Sequence, residues 1–328
     1  MSGERPPTVP PTVLCVGLSC LDLVWRVATF PPVGSRTEAS AHHRHGGGPA
    51  ATAAVAAARY GARAKLWAIH GDDDAGRSLR AELEREGVDV TGVRVPPGAR
   101  SFVSAVLVAP DGERWIFPYR GEGLDDDPDA WPLSEVAEAD VVLTDLRHPR
   151  LARAVLAAAR AAGVPSIVDL GSLRDAGRTA DADVVIAARE AAEQALAGLR
   201  DDGGPAATDL DARAERALEA LRARPGQTVA VTLGDEGVIY DAGEGLRHLS
   251  ALPVAEVVDT TGAGDVFHGA WAAAAAFGLD ADACAHHASV AAALACRAPG
   301  RAAIPSGDEV RRLLEVRTVR EMNEMRWS

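Results

Sequence analysis

Apolar and polar positions divide this chain into two kinds of segment. In the first kind, a short apolar run stops at a glycine or a cap and a helix-forming stretch follows. Val13 to Gly17 opens the series as a buried strand. Gly46-Gly47-Gly48 then precedes PAATAAVAAARYG, a helix that Pro49 can start and Gly61 can stop. Lys65 to Ile69 returns to a strand, Gly71-Asp72-Asp73-Asp74 makes a turn and a cap, and a helix runs through about Glu86. Further strands at Val141 to Thr144, Ser166 to Asp169, Asp183 to Ile186 and Thr228 to Thr232 alternate with helices near 149–162, 189–197 and 207–223. Such alternation predicts a mainly parallel sheet covered by helices. A hairpin at Gly237 to Asp241 and Leu246 to Leu249 follows, then helices over about 263–277 and 281–297. No internal repeat is visible.

The second kind of segment breaks this rhythm twice. From Leu21 to His45 the pattern is mixed, with Val24, Trp25, Val27 and Phe30 ahead of Pro31-Pro32. Between Arg100 and Arg120, SFVSAVLVA and RWIFPY flank Pro110-Asp111-Gly112, a hairpin signal. The expected fold is α/β: a doubly wound, mainly parallel sheet with a small β-sheet lid built from two insertions, near 20–45 and 100–120. Residues 1–11 are Pro-rich and expected as a tail, 12–316 as the folded domain, and 317–328 as a second tail.

Composition narrows the class without choosing a function. The chain has 328 residues, 47% hydrophobic and 25% charged, ordinary globular usage with ample material for a core. Its formal net charge of -13 and lack of a basic block argue against nucleic acid. Cys15, Cys20, Cys284 and Cys296 lie in apolar or small-residue stretches outside any C-x-x-C pair, so buried reduced thiols are expected. The opening MSGERPPTVPPTV lacks a signal-peptide core and no run approaches a membrane span, which predicts a cytoplasmic protein with no membrane partner.

The chemistry is concentrated in VVDTTGAGDVFHGAWAAAAAFG. Gly262 and Gly264 allow a phosphate to approach the backbone, and the amides from Gly262 through Ala263 to Asp265 open a long helix whose N-terminus favours anions. A carboxylate at Asp265 can take a hydroxyl proton while the same amides stabilise a transferring phosphoryl group. Taken alone, G-x-G-D is equally the start of a helix capped by an aspartate.

The longer string Asp259-Thr260-Thr261-Gly262-Ala263-Gly264-Asp265 resembles the C-terminal signature of the ribokinase-like, or PfkB, carbohydrate kinases. That resemblance covers nearly the whole chain and implies the ribokinase-like fold, ATP and Mg²⁺ as cofactors, and a monovalent cation near Asp259. It makes Asp265 the catalytic base, with Gly262, Ala263 and Gly264 as the anion hole. Gly47, Gly48 and the small-residue helix match the family's N-terminal motif, and Asp22 matches its substrate-holding acid. Thr232-Leu233-Gly234-Asp235-Glu236-Gly237 matches a nucleotide loop, which places Thr232, Gly234 and Gly237 at ATP. Thr52 stands where ribokinases carry Asn, and Arg189 to Ala192 stand where they carry the metal-organising N-x-x-E. The metal ligands are therefore unassigned, with Glu190 and Glu193 one position away.

CVGLSCLDLV looks similar to the ketohexokinase branch, while DTTGAGDVFHGA and PGRAAIP resemble 6-deoxy-6-sulfofructose kinase. The implied substrate is a ketose or an acidic sugar derivative, with Arg36, Arg120 and Arg147 as candidate contacts for its anion. Pro118 replaces an Asn of the sulfofructose kinases. An unpaired lid edge suggests a homodimer. Two rival readings are a nucleoside kinase of the same fold and a non-catalytic sugar sensor. A dinucleotide oxidoreductase is disfavoured because Gly17-Leu18-Ser19 follows the first strand in place of G-x-G-x-x-G.

Overall fold

The computed structural model describes residues 9–110, 114–172, 179–200 and 210–325. The apolar runs become β1 (Thr12–Val16), β4 (Arg63–Ile69), β5 (Val93–Arg94), β8 (Val141–Thr144), β9 (Ser166–Leu170), β10 (Val184–Ala188), β11 (Thr228–Thr232), β12 (Val238–Asp241) and β13 (Arg247–Leu249). They form one sheet in the order β13-β12-β11-β10-β9-β8-β1-β4-β5. Pairing is parallel from β11 to β5 and antiparallel at β12 and β13.

Strand β1 shows why the interior strands read as unbroken apolar runs. Val13 and Cys15 pack into the core on one face, Leu14 and Val16 into the core on the other. A strand buried on both sides has no polar face to alternate with. Helices α1 (Pro49–Tyr60), α2 (Asp74–Arg85), α6 (Ala263–Ala276) and α7 (Ala281–Ala295) contribute to the first core. Helices α3 (Pro149–Ala162), α4 (Arg189–Arg200) and α5 (Leu210–Leu221) cover the opposite face. Alanine-rich α1 and α6 pack closely because their facing side chains are small.

Strands β2 (Cys20–Val27), β3 (Ala39–Gly47), β6 (Val103–Val108) and β7 (Arg114–Tyr119) form a separate sheet in the order β3-β2-β6-β7. This is the lid expected from the two insertions; Asp111 and Gly112 of its hairpin lie outside the described residues. β7 is an exposed edge that carries Trp115, Ile116, Phe117 and Tyr119 at the surface.

The sheet order reverses around β1, which has β8 on one side and β4 on the other. In open α/β sheets ligands bind outside the carboxyl ends of the strands at such a switch point. The loops after β1, β8 and β9 lie there, as does the N-terminus of α1.

At the C-terminus the structure departs from expectation. Helix α8 (Gly307–Met325) continues through most of the segment expected as a tail. Ser306 and Glu309 start it with a reciprocal capping box: the Ser306 hydroxyl accepts from the Glu309 amide at 3.3 Å, and Glu309 accepts from the Ser306 amide at 2.8 Å. Among the described residues no helix is long and apolar enough to cross a membrane. Cys15, Cys20 and Cys284 are buried, Cys296 is half-buried, and all four are unpaired.

Candidate active site

The segment from Asp259 to Asp265 is held rigidly before it reaches the helix. Asp259 accepts from the Thr261 amide at 2.9 Å and, through its other oxygen, from the Gly300 amide at 3.2 Å. The amides of Val258 and Asp259 both donate to the Cys296 carbonyl. Gly262 then turns into α6 with φ +77°, a conformation that costs any L side chain roughly 1–2 kcal/mol. Ala263 donates to Thr260, but among the described residues the amides of Gly262, Gly264 and Asp265 reach no acceptor. They are the orphan donors of a helix start, an arrangement able to hold an anion.

Asp265 sits in the first turn of α6 beside Asp169, the penultimate residue of β9, and His268, one turn further along. Burial and the charge of Asp169 push its carboxyl up to about 7, against a weaker opposing pull from His268. Asp169 is likewise raised to about 7, by burial and then by Asp145. Burial lowers His268 to about 4, so the ring is neutral at physiological pH. Its Nδ1 lies 3.7 Å from Asp169, too far for a hydrogen bond, and neither ring nitrogen has a partner. The contact is therefore not an ion pair. A carboxyl group that titrates near neutral pH is matched to general-base work.

Asp145, at the end of β8, organises the floor. One oxygen accepts from the Leu18 amide at 2.8 Å and from the Ala50 amide in the first turn of α1 at 3.1 Å. The other accepts from the Arg147 amide at 2.9 Å. Between them Leu146 adopts φ +58°, an uncommon conformation for a residue other than glycine, and these bonds hold it there.

The Gly-Gly loop is clamped from behind by Arg301, a buried residue only 6% exposed. Its guanidinium donates to the Gly47 carbonyl at 3.0 Å, to Thr52 Oγ1 at 3.1 and 3.2 Å, and to Glu82 at 3.1 Å. Glu82 in turn accepts from the Gly46 amide at 2.8 Å. Thr52 thus serves this clamp, and its methyl lies 3.6 Å from where a Cβ on Gly262 would be, so the starts of α1 and α6 meet. Asp22 lies over Gly47, where an added Cβ would fall 1.9 Å from its Oδ2, and burial raises its carboxyl above the usual range. Gly47→Ala must displace Asp22. Steady-state kinetics should show an acceptor KM raised about tenfold or more with the nucleotide KM unchanged.

Two clefts meet at this point. The larger, of about 620 Å³, is lined by Thr232, Gly234 and Gly237 and by apolar residues including Leu252, Pro253 and Phe267, a surface suited to a flat heteroaromatic ring. The smaller, of about 340 Å³, lies between the underside of the lid and Val257 to Thr261. Val257 and Thr260 line both. Arg189 pairs with Glu236 at 3.1 Å and donates to the Leu233 carbonyl, which ties α4 to the loop over 232–237.

The candidate cations separate. Arg147 lies beside Asp169, whose charge it partly offsets, with its guanidinium 3.3 Å from where a Cβ on Gly171 would be. Arg36 and Arg120 are exposed and line neither cleft. Sequence reasoning missed Arg301, Glu82, Asp145, Asp169 and His268. The first lies within the PGRAAIP string, and Asp169 interrupts the apolar run of a parallel strand near its carboxyl end, where a functional acid is expected.

Asp169, Asp265 and His268 offer ligand atoms within 4.8 Å of one another. The set does not fit Mg²⁺, a hard ion that favours oxygen ligands, because it includes an imidazole and occupies the candidate base. Glu190 and Glu193 are exposed on α4 and form no ion pair among the described residues.

Phosphoryl transfer asks little covalent chemistry of a protein, only positioning, an anion hole and a base at the attacking hydroxyl. By that standard the fold and site define a phosphotransferase. The family model described as pfkB family carbohydrate kinase matches residues 11–306. Ribokinase of Bacillus subtilis is 30% identical over 308 residues, covering 92% of this chain and 99% of that protein. ATP-dependent ribose-1-phosphate kinase of Halopiger xanaduensis is 29% identical, covering 93% and 98%. The structure of Arabidopsis thaliana ribokinase complexed with ribose and ATP aligns with a TM-score of 0.78 and 26% identity over 94% of this chain and 99% of that one. The chain belongs to the pfkB family of carbohydrate kinases.

Proposed function

We propose that this enzyme transfers the γ-phosphoryl group of ATP to a hydroxyl of a small sugar, a ketose or an acidic sugar derivative, with Asp265 as the base. The observation that carries this reading is the placement of one carboxyl group, poised near neutral pH, beside three free amides where two clefts meet. The adenine ring occupies the apolar cleft by Thr232, Gly234 and Gly237. Its phosphates run past Thr260 to Gly262 and Gly264, and the acceptor lies under the lid against Asp22. The Arabidopsis enzyme, complexed with ribose and ATP in the same fold, supports a sugar and a nucleotide as the two ligands.

Mg²⁺ enters this reading as the counter-ion of the triphosphate, carried in on the nucleotide with water completing its shell. Asp259 keeps lone pairs for a monovalent cation beyond the two amides it accepts. Edge strand β7, with its surface Trp115, Ile116, Phe117 and Tyr119, is the proposed homodimer contact.

A coupled ADP-release screen tests the acceptor class. Fructose, fructose phosphates, sulfofructose and aldoses should include the best acceptor. Preferential turnover of adenosine, inosine or cytidine would replace a sugar kinase by a nucleoside kinase, and ATP binding without turnover of any acceptor would indicate a sensor.

A further inference from the structure

The cleft beneath the lid holds a group of cationic side chains to which the catalytic argument assigns no task. Asp22, Val24 and Arg26 line it from β2, and His43 and His45 line it from β3. Alternate residues of a strand share a face, so this row is continuous. Register places Arg26 opposite Val108 of β6, and Val108 opposite Arg114 of β7. Arg26 and Arg114 thus flank Val108 in one cross-strand row, their backbones about 10 Å apart across two strand spacings. Long guanidinium arms span that separation, and both residues line the same cleft.

Among the described residues neither arginine meets a carboxylate: the Arg26 guanidinium has no hydrogen-bond acceptor, and Arg114 donates to the Thr261 hydroxyl at 2.6 Å. Two carboxylates share the cleft. Asp259 is engaged by two backbone amides, and Asp22 lies four residues from Arg26 along β2, about 13 Å away. The cleft is therefore polarised, with Asp22 and the facing His45 at its inner end, His43 opposite Val24 midway, and the guanidiniums of Arg26 and Arg114 at its outer end. On a chain with a net charge of -13, an exposed cationic pocket draws anions selectively. Planar guanidiniums are suited to bind tetrahedral or planar oxyanions through paired hydrogen bonds.

We propose that the outer half of the lid cleft, formed by Arg26 and Arg114 with His43 next along the row, is an oxyanion subsite for a phosphate, sulfonate or carboxylate group. The group has two potential sources, an anionic substituent of the acceptor or the terminal phosphoryl group of the nucleotide. The subsite rests on the kinase reading for its use, but its ligand chemistry is measurable without turnover.

Isothermal titration with inorganic phosphate, at constant pH and ionic strength, tests it on the full chain. Arg26→Gln and Arg114→Gln should each weaken phosphate binding about tenfold, the loss expected for one charged hydrogen bond. Both residues lie on the lid away from the cores, so thermal midpoints should be unchanged. Repeating the titration with saturating AMP-PNP and with ADP separates the sources. Phosphate excluded by AMP-PNP but not by ADP identifies the nucleotide's terminal phosphoryl group, and phosphate still bound beside AMP-PNP identifies the acceptor's anion. Phosphate affinity unchanged in the Arg26→Gln/Arg114→Gln double variant, or no phosphate binding to the wild type, would overturn the proposal. Failure of the ADP-release screen leaves this readout intact, so the two readings fail separately.

Discussion

Asp265→Asn lowers kcat by about 10²–10⁴, the contribution of a positioned general base, while nucleotide affinity is retained. Asparagine keeps the size of the side chain and leaves the amides of Gly262, Gly264 and Asp265 in place. What it removes is the ability to take a proton. The same substitution should stabilise the fold, which distinguishes a catalytic role from a structural one. In the folded state the Asp265 carboxyl titrates at about 7 against an ordinary value of 3.8, so the native state binds more protons than the unfolded chain between those limits. Stability therefore falls as pH rises from about 4 to about 7, and at pH 8 the charge costs on the order of a few kcal/mol. An uncharged asparagine relieves that cost. Urea unfolding at pH 8 should show a raised midpoint alongside the lost activity, whereas a joint loss of stability and turnover would mark Asp265 as a structural cap.

The second large effect concerns Arg301, which touches no reacting atom. Arg301→Met leaves Glu82, the Gly47 carbonyl and the Thr52 hydroxyl without their donor in a nearly dry site. Breaking a buried ion pair on one side costs about 3–5 kcal/mol, because the remaining charge stays buried. Combining it with Glu82→Gln removes the stranded charge and keeps an acceptor for the Gly46 amide. The double variant should recover about 0.5–3 kcal/mol of coupling energy by urea unfolding. Strict additivity would show that the clamp is not an energetic unit.

These two residues also mark what the sequence allowed to be read. Asp265 was legible because its proposed function is local: two glycines, an acid and the helix they open are contiguous, and the proposed anion hole is made of their own amides. The fold was legible for a similar reason. β8, β11 and α3 fall where the apolar runs and the helix expected near 149–162 place them. The lid followed from a break in that rhythm. Strand β5 escaped because two residues, Val93 and Arg94, carry no periodicity and pair only with Ala68 and Ile69.

Arg301 escaped for the opposite reason, since its partner Thr52 lies 249 residues away and nothing local distinguishes it from other arginines. Asp169 and His268 acquire their meaning only when β9 and α6 are brought together. Arg36 and Arg120 were chosen by proximity to the lid segments in the chain. The pleat instead turns Arg26 and Arg114 into the cleft, a matter of register that composition does not disclose. For the same reason the acceptor is less legible than the base: its contacts come from both insertions and from strand ends, a few residues from each.

The most direct measurement of the central claim is the pH dependence of the single-turnover rate of phosphoryl transfer, for wild type and Asp265→Asn with the best acceptor. A base must be unprotonated to act, so the wild-type rate should climb tenfold per pH unit below about 7 and level off above it, following the raised carboxyl of Asp265. The residual rate of Asp265→Asn should lack that limb. A wild-type rate that is flat from pH 5 to 8, or a variant that keeps the same ascending limb, would assign the proton to another group and contradict the account.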